Sequence, residues 1–323
     1  MSKKPSVLVG VPLDEAAGEL LRKHADITVH EFIDHGALVK NIKDYDALIS
    51  GGAKCDEEVF SAATNLRIVA SHGMGYDTID VKAATRHGVM VTNSPGVMAE
   101  SVAEHALALM LSAARRIPQA DRDVKDGKAS WAKYRGIELW GKTLGQIGIG
   151  RIGWLIAKKA RDAFNMNVLA YDPYVEPERF LIAGATPVPF DKLLMESDII
   201  SISVPLNEET RGMIGQKEFD LMKKGSIILN TARAGVINEE ALLIAIRDER
   251  VGQAALDVFE EEPGKKSPLL AEERVILTPH QGANTISGFA AIARATVENV
   301  LMALEGKCPK NILNPSVWQE PNA

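Results

Sequence analysis

An α/β fold with largely parallel sheets, in two domains, is the class this sequence predicts, and three observations predict it. Short apolar runs recur along the chain with helical patterns between them, the alternation expected of a parallel sheet. A glycine-rich turn stands between one such run and an apolar helix. The chain has 323 residues, more than one compact domain of usual size holds.

The first hundred residues carry five strand candidates: Val7–Val11, Ile27–Phe32, Ala47–Ile49, Leu66–Ala70 and Val89–Val91. Ala16–His24 reads as a helix. Glu100–Arg115 is rich in Ala and Leu, which favours a long helix. It is apolar on most faces, as for a helix buried between domains or subunits. The stretch from Ile117 to Trp140 is polar, with Trp131, Tyr134 and Trp140 set in it. It lies over a partner subunit, or it is a surface excursion with three partly buried aromatics. A second α/β set begins at Lys142. Its strand candidates are Leu144–Ile147, Val168–Tyr171, Ile199–Val204, Ser226–Leu229, Gln253–Leu256 and Val275–Leu277. Its helices fit Arg151–Phe164, Phe190–Glu196, Gly215–Leu221 and Asn238–Glu249, and a last helix runs Ile286–Leu304. No internal repeat of fixed period is present.

Composition is that of an ordinary globular enzyme, with 46% hydrophobic and 25% charged residues. A formal net charge of -6 disfavours nucleic acid as a partner. A local arginine can still hold a small anion. Two cysteines, Cys55 and Cys308, give neither a disulfide framework nor a metal cluster, so no metal is expected. The apolar run after the amino terminus is shorter than a secretory core. No stretch approaches a membrane span. A cytoplasmic protein is the simplest expectation.

The segment Lys142–Gly153 holds Gly148, Gly150 and Gly153 in the spacing G-x-G-x-x-G, after an apolar strand and before an apolar helix that opens with Arg151 and Ile152. Gly148 permits the tight turn, Gly150 lets a pyrophosphate approach the backbone, and Gly153 lets the helix pack on the strand. Phosphates then sit at the helix start, where unpaired N–H groups and the dipole favour negative charge. The next strand ends at Asp172, near the offset of about 20 residues expected of a ribose-binding carboxylate. A carboxylate there accepts from the ribose hydroxyls and repels the extra phosphate of NADP, so NAD is predicted. The other role open to Asp172 is to cap the Asp172-Pro173 turn.

Three polar clusters follow later strand candidates: Asn230–Gly235 with Arg233, Asp257–Pro263, and Thr278–Gly282 with His280. Ligands of open α/β sheets lie beyond the carboxyl ends of strands. An arginine offers a planar fork of donors to a carboxylate. Histidine is the natural proton carrier near neutral pH. Each also has a plain structural role available, as a surface ion pair, a solvated acid or a packed ring. Among seven histidines, His72 is the main rival to His280, because it precedes the turn Gly73-Met74-Gly75. His24 and His105 lie inside helical patterns and look structural.

Taken in order, these segments resemble the D-isomer-specific 2-hydroxyacid dehydrogenases, and the resemblance covers nearly the whole chain. It is carried by Ser71–Asp80, Gly88–Gly96, Val102–Leu109, the glycine loop, Pro205–Gly212, Asn230–Leu242, Ala255–Pro263 and Leu277–Gly282. It implies two Rossmann-like domains in a formate/glycerate dehydrogenase-like architecture. The substrate domain is discontinuous, residues 1-100 and 288-323, with the nucleotide domain, residues 101-287, inserted into it. It implies that Arg233 binds and polarises a keto acid. His280 is then the general acid for reduction, and Glu262, immediately before Pro263, pairs with the histidine. The N–H groups of Met74 and Gly75 hold the substrate carboxylate. Pro205, Thr210, Thr231, Ala232, Asp257, His280 and Gly282 join the glycine loop and Asp172 around the cofactor. The implied protein is an NAD-dependent, homodimeric oxidoreductase of a small 2-keto or D-2-hydroxy acid, with glyoxylate or hydroxypyruvate expected. Domain closure is expected to exclude water.

Some positions depart from the family pattern. Ala234 stands where glycine commonly follows the arginine, and Asn238 where aspartate is frequent, though asparagine also caps a helix. Gln281 replaces an aliphatic residue. His72 beside the carboxylate-binding turn is unusual and favours a polar or anionic substituent if it faces the cleft. Phosphoglycerate dehydrogenase often carries a regulatory domain for which residues up to Ala323 leave no room, so the form without that domain is one alternative. A dinucleotide-sensing corepressor or scaffold is another, although no added interaction segment is visible.

Overall fold

The computed structural model describes residues 4–260 and 267–318. The chain divides into two compact units, Met1–Met98 with Thr285–Ala323, and Ala99–Asn284.

The first unit opens with β1 (Ser6–Val9), α1 (Glu15–His24), β2 (Asp26–Val29), α2 (His35–Asn41), β3 (Ala47–Ser50), α3 (Glu57–Ala62), β4 (Ile68–Ser71), α4 (Val81–Arg86) and β5 (Met90–Thr92). All its strand pairs are parallel, in the order β2-β1-β3-β4-β5. Asp14, Asp34, Asp56 and Asp80 each cap the helix that follows by accepting from a backbone N–H. Leu8, Leu48 and Val69 point to one face of this sheet, and Val7, Ile49 and Ala70 to the other.

The second unit begins with α5 (Ala99–Arg115) and α6 (Ile117–Lys125). Then follow β6 (Thr143–Ile147), α7 (Arg151–Phe164), β7 (Asn167–Tyr171), α8 (Pro177–Ala183), β8 (Thr186–Pro187), α9 (Phe190–Glu196), β9 (Ile199–Ile202) and α10 (Gln216–Leu221). It closes with β10 (Ser226–Asn230), α11 (Glu239–Arg247), β11 (Val251–Leu256) and β12 (Val275–Leu277). Its seven strands are parallel in the order β12-β11-β10-β9-β6-β7-β8. One face is covered by a cluster containing Ala106, Met110 and Ile156, the other by one containing Leu193, Phe219 and Leu242. After it α12 (Ile286–Leu304) returns to the first unit, where Ala293, Val297 and Val300 join the core.

Several local expectations change. The second strand stops at Val29 rather than Phe32, because Phe32 adopts a left-handed φ of 57°. The third apolar run of the second half also ends early, at Ile202, since its last residues leave the sheet on the way to Pro205. The polar stretch from Ile117 contains a helix, α6, with Pro118 at its start, where a missing N–H costs nothing. Trp131 and Trp140 in that stretch are 91% and 71% exposed, not partly buried. The short helices α2, α3, α4 and α8 offer only one or two turns of periodicity and drew no assignment from the sequence. Asn238 does cap α11, accepting from Ala241 N–H at 2.9 Å. No helix among the described residues is long and apolar enough to cross a membrane.

Candidate active site

In the second unit the polar loops gather because parallel strands bring all their carboxyl ends to one edge of the sheet. From β7 across to β12, that edge presents Asp172, the glycine loop, Pro205, Thr231–Arg233, Asp257 and Thr278–Gly282. The order reverses at β6, whose neighbours are β7 and β9. Such a switch point is where open α/β sheets take ligands.

The glycine loop is built by close approach. Gly148 has φ 82°, and a Cβ there would lie 2.6 Å from the Ser203 carbonyl oxygen. At Gly153 a Cβ would lie 2.0 Å from the Gly148 carbonyl oxygen. Gly150, by contrast, is exposed and a Cβ would meet nothing within 4 Å. The turn is therefore packed on its inner side and open where α7 begins, at exposed Arg151 and half-buried Ile152. Open space over a helix start, whose first N–H groups have no intrahelical acceptor, fits a pyrophosphate. Asp172 braces the loop, its Oδ2 accepting from Ile149 N–H at 3.0 Å and its Oδ1 from Tyr174 N–H at 3.0 Å. It thus caps its turn as well as facing the loop, and each oxygen retains acceptor capacity for a ribose hydroxyl. Sequence reasoning missed two further braces, Gln146 Nε2 donating to Gly148 O at 3.1 Å and Arg179 Nε donating to Ile149 O at 3.2 Å. Neither stands at a motif position.

Thr210 is buried and donates to the Pro205 carbonyl at 2.6 Å, closing the turn after β9. After β10, the buried Asn230 side chain accepts from Ala232 N–H at 3.0 Å and donates to Arg233 O at 2.9 Å. This folds Thr231, Ala232, Arg233 and Ala234 into a half-buried turn. The Arg233 Nη1 donates to Ala232 O at 2.7 Å.

Asp257 follows β11 and is 2% exposed. Its Oδ1 accepts from Thr278 Oγ1 at 2.6 Å and from Gln281 N–H at 2.9 Å, and its Oδ2 from Gly282 N–H at 2.8 Å. His105 Nε2 lies 3.2 Å from the same Oδ1. Burial pushes the carboxyl pKa up, but the His105 and Thr278 contacts and the two N–H bonds outweigh it and hold the group below its ordinary value. His280 itself is exposed, with a left-handed φ of 52°. Gln281 is also exposed, its N–H turned to Asp257. Glu262 lies outside the described residues.

Met74 and Gly75 belong to the first unit, in the turn after β4. Asn93 Nδ2 donates to Met74 O at 2.7 Å, and Ser94 N–H donates to Gly73 O at 2.8 Å. The carbonyls of the turn are engaged, while among the described residues none accepts from the N–H of Met74 or Gly75. His72 packs edge-on against Phe289 with ring centroids 5.5 Å apart, and its buried Nε2 has no partner among the described residues. Burial lowers its pKa to about 4, so the ring is neutral near pH 7 and brings no charge to the turn. Among the described residues, no group of three His, Cys, Asp or Glu is placed to hold a metal ion.

A parallel sheet with this glycine cradle defines a dinucleotide-binding protein. Comparison with known sequences narrows the class. Residues 107–282 match the NAD binding domain of the D-isomer specific 2-hydroxyacid dehydrogenases. A D-3-phosphoglycerate dehydrogenase of Archaeoglobus fulgidus is 44% identical over 315 residues, 96% of this chain and 60% of that protein. A glyoxylate reductase of Korarchaeum cryptofilum is 39% identical over 325 residues, 97% of both chains. Among solved structures, a glyoxylate reductase from Paecilomyes thermophila superposes with a TM-score of 0.87 at 30% identity, covering 98% of this chain and all of that one. The chain belongs to the D-isomer-specific 2-hydroxyacid dehydrogenase family, and its second unit takes a nicotinamide dinucleotide. It spans about 60% of the length of the first phosphoglycerate dehydrogenases it matches.

Proposed function

We propose that the protein is an NAD-dependent D-2-hydroxyacid dehydrogenase that reduces a small 2-keto acid, glyoxylate or hydroxypyruvate, to the D-2-hydroxy acid. The observation that carries this reading is the gathering of Arg233, Asp257 and His280 on the carboxyl ends of three adjacent strands, β10, β11 and β12. Those strands share their sheet with the dinucleotide cradle. The 97% coverage of a glyoxylate reductase supports the substrate class.

In this reading Arg233 binds the keto acid and steadies charge growing on the carbonyl oxygen. His280, protonated, gives its proton to that oxygen, and Glu262 keeps the imidazolium charged and oriented. The N–H groups of Met74 and Gly75 are assigned to the substrate carboxylate. Gly148, Gly150, Arg151, Ile152 and Gly153 hold the pyrophosphate, and Asp172 the adenosine ribose. Pro205, Thr210, Thr231, Ala232, Asp257 and Gly282 border the nicotinamide side. When bound, the nicotinamide supplies the hydride.

The same proposal makes the protein a cytoplasmic homodimer. Exposed Ile117, Val124, Trp131 and Trp140 support a partner surface, as does a groove of about 250 Å³ lined by Leu111, Leu139 and Trp140. Oxidation of D-3-phosphoglycerate is the second reading, favoured by the 44% identity over 96% of the chain. The test is a panel of glyoxylate, hydroxypyruvate, pyruvate and bulkier 2-keto acids with NADH and NADPH, beside D-3-phosphoglycerate with NAD. Turnover of the small keto acids with preference for NADH is expected. Turnover of D-3-phosphoglycerate alone would favour the second reading. No turnover at all would sink both, and preference for NADPH would remove the role given to Asp172.

A further inference from the structure

His105 lies on α5, inside a helical pattern that marks it as an ordinary packed residue, yet its ring reaches the loop that carries His280. Its Nε2 is 3.1 Å from Thr278 Oγ1 and 3.2 Å from Asp257 Oδ1. The Thr278 hydroxyl donates its hydrogen to Asp257, so its oxygen is left to accept, and His105 must be the donor. An ionised carboxylate accepts but does not donate, which gives the same assignment at the second contact. Nε2 therefore carries a hydrogen shared between the two oxygens.

A carboxylate offers about four lone-pair sites. Asp257 meets four donors: the Thr278 hydroxyl, the His105 ring, and the N–H groups of Gln281 and Gly282. The two N–H bonds fix the chain immediately after His280. His280 N–H in turn donates to the Asp257 carbonyl at 2.9 Å, which fixes it from the other side. Between these anchors His280 holds its left-handed φ, a conformation rare outside glycine and asparagine. At Gly282 a Cβ would lie 3.0 Å from Asp257 Oδ2, so only a small residue lets the carboxylate close on this backbone.

We infer that His105 is a positioning residue for the reaction. By donating to Asp257 and Thr278 it locks the clamp that holds the His280 backbone in its left-handed conformation, and so sets where the His280 ring stands. This inference rests on the role given to His280 above. Without His105, one acceptor site of the buried carboxylate loses its partner and Thr278 is held by its bond to Asp257 alone. The 278–282 loop then samples other conformations, and the proton donor is misplaced in most of them.

The experiment compares the full-length wild type, His105→Ala, His105→Gln and His280→Ala. Glutamine can place a neutral donor near the position of Nε2. Three readouts are taken: the single-turnover rate with glyoxylate, the NADH dissociation constant, and hydrogen exchange at the Gln281 and Gly282 amides. For His105→Ala the rate is expected to fall by about 100-fold, the scale of a misplacement of one ångström. NADH affinity should stay within about threefold, since the defect lies in the reacting geometry. Exchange at the two amides should rise at least about tenfold as local opening becomes easier, and His105→Gln should recover most of both losses. Wild-type exchange at both amides in His105→Ala overturns the inference, as does a rate near wild type while His280→Ala is inactive. If His280→Ala stays active, or the wild type reduces no keto acid, the proposed function fails, and amide exchange still decides the role of His105. Should His105→Ala not fold, Thr278→Val removes the bridging hydroxyl and is judged by the same readouts.

Discussion

The glycine loop at 148–153 and the histidine loop at 278–282 occupy the same edge of one sheet, but they are held in opposite ways. The first keeps its shape by excluding side chains: a Cβ at Gly148 or Gly153 would collide with backbone carbonyls, and at Gly150 the space is open. The second keeps its shape by adding side chains, with one buried carboxylate gathering a hydroxyl, a ring and two N–H groups around it. A cradle for phosphates needs backbone N–H groups and room. A proton donor needs a side chain in a chosen place, and a residue with a side chain resists the left-handed backbone that His280 adopts. In the proposed reading, the binding loop is set mostly by a short local motif, whereas the reacting loop depends on contacts between distant segments.

The largest expected effect comes from removing the proposed proton donor. His280→Ala should cost about a thousandfold or more in the rate of keto acid reduction, within the range of lost general acid catalysis. Survival of the rate would pass the role to another group; His72, neutral and packed on Phe289, is poorly suited to it.

Gly153→Ala attacks the other loop. Its methyl group would stand 2.0 Å from the Gly148 carbonyl oxygen, so the backbone must move. Overpacking of this kind costs about 1–3 kcal/mol, and each 1.4 kcal/mol lost from binding is about tenfold in affinity. Fluorescence titration with NADH should show affinity weakened by about tenfold or more. Unchanged affinity would mean that the loop does not hold the dinucleotide.

A smaller effect is expected of Asp257→Asn. The carboxamide keeps one acceptor oxygen and turns an NH2 group toward existing donors, leaving at least one of them unmatched at about 1–3 kcal/mol. Thermal unfolding should shift down by several degrees, at about 2–4 °C per kcal/mol for a unit of this size, and the 281–282 amides should exchange faster. The pH dependence follows from the lowered pKa of Asp257. Its contribution is complete above the ordinary carboxylate value of about 3.9 and is lost only as pH falls through the lower folded value. Protection of those amides should therefore be flat near neutral pH and decline only in strong acid, with no such decline attributable to this group in the Asn variant. A midpoint at pH 6 or above would assign the clamp to a different ionisation.

Much of the fold was legible because strands buried on both faces leave continuous apolar runs, and Ile286–Leu304 and Arg151–Phe164 are long enough to show helical periodicity. The glycine loop was legible because its three glycines keep a fixed short spacing between an apolar strand and an apolar helix, although the contact that demands Gly148 comes from distant Ser203. Asp172 was legible as a candidate, but not its bonds to Ile149 and Tyr174, which depend on the path of the loop. The contacts of His105 with Thr278 and Asp257 were not legible in the sequence. More than 150 residues separate His105 from Asp257 in the chain, and only the packing of α5 beside β11 brings the two together. The short helix α6 escaped because its sequence is mostly polar and its burial falls largely on one residue, Asp123.

The division between the two loops is tested most directly by titrating NADH against His280→Ala. If binding and proton donation reside in different loops, affinity stays within about threefold of the wild type in a protein that no longer reduces glyoxylate. Loss of NADH affinity together with the rate would contradict that division, making the contact of His280 with the cofactor, and not proton donation alone, what the substitution removes.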